Sequence, residues 1–97
     1  MDEIAFLGHR RGDSVAVAVR NVQVEQAEVA FLDGGERSTV TTVQPVPLGH
    51  KVALVNLAEG EPVIEYGEPV GIVSTAMRVG ELVHVHNMRS ARWPQSA

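Results

Sequence analysis

Short β-branched apolar runs alternate along the chain with clusters of Gly, Pro, Asn and Asp, at intervals of roughly eight to twelve residues. No stretch keeps its apolar residues at helical spacing. The pattern predicts strands over residues 14–19, 28–32, 38–43, 51–55, 63–66, 71–75 and 82–86. "LDGGE" at 32–36 joins the second and third of these as a hairpin, because Asp-Gly-Gly supplies the positive φ that tight turns need. "QPVPLG" at 44–49 has prolines without amide donors and reads as an extended crossover between two halves. From Arg89 onward, "RSARWPQSA" shows no periodic pattern. The predicted organisation is one all-β domain over residues 1–88, followed by a flexible C-terminal tail, 89–97.

A weak repeat lies within the strand pattern. "NLAEGEPV" at 56–63 and "AMRVGELV" at 76–83 share a frame of one apolar residue, two variable positions, Gly, Glu, one more residue and Val. "NVQVEQ" at 21–26 looks like an eroded copy without the glycine. The frame predicts a corner in which Leu57 or Met77 tucks under, Gly60 or Gly80 turns left-handed, and a strand departs at Val63 or Val83. Copies twenty residues apart can mark a solenoid. Two good copies are too few for that, so a compact β-fold with repeated corners is expected.

Composition narrows the class. Ninety-seven residues suit a single domain with a modest core, and 44% apolar with 21% charged residues is ordinary for a globular chain. Aromatics make up only 4%, so Val, Ala, Leu and Ile must do the packing. A net charge of −4 gives no electrostatic reason to expect nucleic acid or an anionic membrane as partner. With no cysteine there is no disulfide and no thiolate chemistry. No apolar run is long enough to span a bilayer, and "MDEIAFLG" carries acids where a signal peptide carries positive charge. A cytoplasmic protein is expected.

Candidate chemistry is concentrated at two strand ends. In "GELVHVHNM" at 80–88, His84 and His86 would share one face of a strand, about 7 Å apart, with Val83 and Val85 turned to the core. That spacing suits two imidazoles on one metal, carboxylate binding, proton transfer, or a plain solvated edge. His86 with Asn87 is the better placed, at the strand end where side chains reach a ligand. In "GHK" at 49–51, His50 and Lys51 point to opposite faces; Lys51 could neutralise a carboxylate that His50 orients, or serve as an edge-strand guard. His9 is either a third imidazole from across the fold or a loop histidine. "RGD" at 11–13 is a chance match to an adhesion tripeptide, with Asp13 turning the chain into the first predicted strand. Glu59, Glu61, Glu65 and Glu68 form a mostly solvated acidic face, and Trp93 is either a partner anchor or unpacked.

The corners, with "DSVAVAV" at 13–19, "GHKVALVNL" at 49–57, "VIEYGEPVG" at 63–71 and "GELVHVHN" at 80–87, carry a resemblance over roughly residues 9 to 87. The chain resembles the SAF domain of altronate and galactarate dehydratases, which in some relatives is a separate small subunit, as in sulfolactate sulfo-lyase. The resemblance implies a β-clip fold of short bent antiparallel strands. It also implies a larger partner subunit carrying most of the active site and its divalent metal, iron or manganese, with no cofactor on this chain itself. Departures from the family pattern are Glu65 where Lys is usual, Ser14 for Asn, Asn56 and Ala76 for Asp, and one extra residue in "HRRGD".

Three functions compete on this reading. The first is a small subunit of a hydro-lyase acting on sugar acids or related hydroxy or sulfo acids. There His86 and His50 are the catalytic candidates, and Lys51, Asn87 and His84 the substrate-binding ones. The second is a stand-alone carbohydrate or sugar-acid module using a flat polar face such as "STVTT" at 38–42. The third is a metal-binding protein built on His84, His86 and another histidine. The first ranks highest; self-association into a homo-oligomer is compatible with all three.

Overall fold

The computed structural model describes residues 3–83 and 88–90, the last three by their backbone alone. Nine strands run through them: β1 Ile4–Gly8, β2 Val15–Ala18, β3 Gln26–Phe31, β4 Ser38–Thr41, β5 Lys51–Ala53, β6 Pro62–Glu65, β7 Glu68–Val73, β8 Leu82–Val83 and β9 Met88–Ser90. There is no helix among the described residues. A six-stranded sheet has the order β4-β3-β1-β2-β5-β8, and a three-stranded sheet the order β6-β7-β9. The all-β class expected from the pattern holds. Pairing is antiparallel except for β1 on β3, which is parallel.

Two strands lie where the pattern predicts none. β1 is inserted in the middle of the larger sheet, and Ala5 and Phe6, on opposite faces, are both fully buried. A strand buried on both faces has no polar–apolar alternation to betray it. β9 pairs Arg89 with Ile72 and Ser90 with Gly71, so the sheet runs into the start of the patternless tail.

The core divides into two clusters. Phe6, Val22, Val29, Val46 and Val52 lead the one under the larger sheet. Val15, Ala53, Leu57, Val63, Val73, Met77 and Val83 form the second, which draws on both sheets. The packing residues are small and β-branched, as an aromatic-poor composition requires.

The corners are the device that joins these parts, and there are four among the described residues. Beyond the copies at 56–63 and 76–83, the frame recurs at 45–52 as "PVPLGHKV", with His50 in the place of its Glu, inside the supposed crossover. Gly49, Gly60 and Gly80 all take φ near +90° (87°, 90° and 92°). The copy at 21–26 is one residue shorter and lacks that glycine. The corners work in pairs: Leu57 and Met77 exchange backbone hydrogen bonds (2.8 and 2.9 Å), as Val22 and Val46 do (2.9 and 2.8 Å). Each corner's turn also receives the strand end of its partner. The amide of Gly60 donates to Val73 O, that of Gly80 to Ala53 O and that of Gly49 to Ala18 O, each at 2.8 Å. In the glycine-free copy a side chain substitutes. The buried Thr42 hydroxyl accepts from Glu25 N (2.9 Å) and donates to Gln23 O (2.6 Å). Asn21 and Asn56 complete the likeness by accepting from Leu48 N (2.9 Å) and Val79 N (2.8 Å).

At the short corner, Arg20 forks onto Glu25, with Nη2 to Oε1 at 3.2 Å and Nη1 to Oε2 at 3.3 Å. The Arg20 hydrogen bond, with that of the Gln23 amide, holds the Glu25 carboxyl below its ordinary value of 4.5. A depressed folded-state value means the contribution is present above the unfolded carboxylate's pKa and is lost as pH falls through the folded one. Chemical-denaturation midpoints should therefore drop on acidification below about pH 5. Glu25→Gln should flatten part of that slope while leaving the neutral-pH curve's shape intact.

Candidate functional site

The turn between β6 and β7 is the local feature from which the site grows. It is a two-residue loop, Tyr66-Gly67, closed by the Glu65–Glu68 pair, with positive φ at both positions (60° and 75°). That is the pattern of a type I′ turn, which ordinarily calls for Asn-Gly. Tyr66 is the only non-glycine residue with positive φ among the described residues. A bulky side chain there carries strain of order 1–3 kcal/mol, which the surroundings must hold.

Asp13 holds it. Its carboxylate is buried, 3% exposed, and accepts from Tyr66 N (2.8 Å), Gly67 N (3.2 Å) and Arg10 N (3.4 Å). Ser14 extends the seam: its N donates to Ile64 O (2.7 Å), its Oγ accepts from Ile64 N (3.0 Å), and its O accepts from Leu54 N (2.7 Å). Asp13 does turn the chain toward β2, as the sequence suggests, and it also reaches a hairpin more than fifty residues downstream. The N-terminal loop is fixed on its other side as well, because Leu32 N donates to Gly8 O (2.9 Å) and Asp33 N to His9 O (3.0 Å).

A cluster of polar side chains stands on this frame. The His9 and Tyr66 rings lie 4.8 Å apart between centroids, tilted by 47°. The Arg10 guanidinium lies 5.3 Å from the Tyr66 ring centroid, within cation–π range. Next to Tyr66, Glu65 is drawn inward, its side chain 12% exposed. Its Oε1 is 2.8 Å from Lys51 Nζ and its Oε2 3.6 Å from His9 Nε2. His9, Arg10, Leu32, Asp33 and Tyr66 line an open depression of about 310 Å³.

Of the five residues singled out by pattern and resemblance, the structure describes two. Lys51 heads β5, half-buried, with its ammonium engaged by Glu65. His50 is exposed on the corner turn, with its N donating to Pro47 O (3.0 Å) and its O accepting from Ala18 N (2.8 Å). His84, His86 and Asn87 lie outside the described residues, as does Trp93. His9 and Lys51 both reach Glu65, while the histidines with which His9 would share a site, His84 and His86, are outside the described residues. Arg10 and Tyr66 are not among the sequence candidates. A Tyr-Gly turn between two alternating runs, where Asn-Gly is the rule, is the signal that points to them. Glu65, which the resemblance marks as a departure, pairs with Lys51. Among the described residues, no three His, Asp or Glu side chains are placed to hold a metal ion.

Residues 4–91 match the family described as the altronate/galactarate dehydratase SAF domain, and the chain belongs to that family. It is 38% identical to the (2R)-sulfolactate sulfo-lyase subunit alpha of Chromohalobacter salexigens, over 93% of this chain and 98% of the relative. It is 41% identical to the altronate dehydratase of Escherichia coli over 80% of this chain, and 28% identical to that of Bacillus subtilis over 89%. The matched regions make up only 15% and 16% of those two dehydratases. The same domain thus occurs as nearly a whole subunit and as a small part of a longer chain.

Proposed function

We propose that the chain is the small subunit of a lyase of the altronate/galactarate dehydratase family, covering the active site of a larger, metal-dependent chain that acts on sugar acids or related hydroxy or sulfo acids. The observation that carries this reading is the end-to-end match to a separate subunit alpha, set beside dehydratases in which the domain is about a sixth of the chain. The physical support is that the described polar groups line an open rim. Such a rim suits half of a site, where a second surface supplies the enclosure and exclusion of water that elimination chemistry needs.

In such a reaction the proton α to the carboxylate goes to a base, and the neighbouring hydroxyl leaves as water after gaining a proton; a sulfo acid loses sulfite instead. His50 and His86 are the proton-transfer candidates of this chain, with Asn87 and His84 as substrate ligands. Lys51 acts here through its pair with Glu65, which sets how much positive charge it presents.

The test is reconstitution with the larger chain that co-purifies from the native cell. Neither chain alone should turn over a sugar acid or sulfolactate, the mixture should, and His86→Ala in the small chain should lower kcat about a hundredfold or more. Full activity from the isolated 97-residue chain would end the subunit reading.

A further inference from the structure

We infer that His9, Arg10 and Tyr66, with Asp33 lining the same depression, form a recognition site for a hydroxy acid, in which Arg10 rather than Lys51 meets the ligand's carboxylate. The ligand's class rests on the functional reading above; the geometry adds where it is held and by which groups.

What separates the two cations is which of them is free. Lys51 Nζ lies 2.8 Å from Glu65 Oε1, and that carboxylate is largely buried, so the lysine's charge is already answered. Arg10 faces the Tyr66 ring and has no carboxylate partner among the described residues. A guanidinium without a carboxylate partner can grip a ligand's carboxylate with two parallel hydrogen bonds.

The tyrosine itself points the same way. It is 62% exposed, so core burial does not explain it, and Gly or Asn would make the turn without strain. Asp13 fixes the backbones of Arg10 and Tyr66 together, while the Asp33 amide fixes that of His9. The backbone that carries three ligand-capable side chains is therefore held in place before anything binds, which lowers the ordering cost of binding. Residues strained and pre-positioned in this way cluster at ligand sites.

Asp33 refines the ligand. Its Oδ1 accepts from Gly35 N (2.8 Å), and its carboxylate would repel an inorganic polyanion filling the depression. The same group accepts hydrogen bonds from hydroxyls. A cation and a carboxylate lining one depression match a chain that carries both a carboxylate and hydroxyl groups.

Gluconate and its neutral counterpart sorbitol test this on the full chain, by following amide and tyrosine-ring resonances. Gluconate should shift the signals of Arg10, Tyr66 and Gly67 saturably, and sorbitol at equal concentration should not. Arg10→Gln should weaken gluconate binding about tenfold, Tyr66→Phe about threefold, and Arg78→Gln, on an exposed corner, not at all. Equal responses to sorbitol, Arg10→Gln within twofold of the parent, or shifts absent or scattered would each overturn the inference. Reconstituted turnover alongside a failed titration would sink this site alone. A successful titration with no turnover in any reconstitution would instead count against the subunit reading.

Discussion

Gly80→Ala should cost at least about 3 kcal/mol of folding stability, a large part of what a domain of this size has. Two effects add. Gly80 takes φ of +92°, which an L-residue adopts at a cost of about 1–2 kcal/mol. A Cβ at this position would also lie 2.1 Å from Thr41 O, with Thr41 C at 3.2 Å and Thr42 Cα at 3.4 Å. These are backbone atoms, which cannot swing aside as a side-chain tip can. They are pinned in addition: Thr42 N donates to Glu25 O (3.0 Å), and Gly80 O accepts from Val43 N (3.0 Å). This is where the corner at 76–83 locks against the strand leading into the corner at 45–52. Gly60 supplies the internal comparison, with φ of 90° and open space: a methyl group there would meet nothing within 4 Å. Gly60→Ala should cost only the backbone strain, about 1–2 kcal/mol. Urea denaturation of both variants separates conformation from contact, and equal losses would mean that the lock at Gly80 contributes nothing.

The strand at 38–41 is legible because Thr39 and Thr41 make a polar face while Val40 is buried on the other, so a period of two survives in the sequence. β1 is illegible for the opposite reason: it is covered on both sides and reads as a plain apolar run. The corners are half legible. Leu57 and Met77 tuck under as the frame predicts; they are 8% and 2% exposed and bridge one another. The copy at 45–52 is hidden by Pro45 and Pro47, whose missing amides suggest a crossover, although the frame's hydrogen bonds fall on Val46, Gly49 and His50. At the site, His50 and Lys51 are visible as polar residues heading a strand. The role of Glu65 depends on which cation lies opposite it. That of Asp13 depends on a turn on another strand pair. Local patterning carries no record of either, because both are products of chain crossing.

Asp13→Ala is the second large effect, about 3 kcal/mol, because it strips a buried carboxylate from the N–H groups of Arg10, Tyr66 and Gly67. Unlike the glycine lesion, it should act on one place. The core around Phe6 lies under the other sheet, whereas the strained turn loses its clamp. The chain has a single tyrosine, so the Tyr66 ring resonances report directly on that turn. They should move toward free-tyrosine positions as the ring leaves His9, while the Phe6 signals stay dispersed. Asp13→Asn keeps one acceptor oxygen and should cost roughly half as much. The decisive comparison is made in a Tyr66→Gly background, where the turn adopts positive φ without strain. There the loss on removing Asp13 should shrink by at least about 1 kcal/mol. An undiminished loss would mean that Asp13 merely satisfies buried amides and does not hold the tyrosine in its unfavourable conformation.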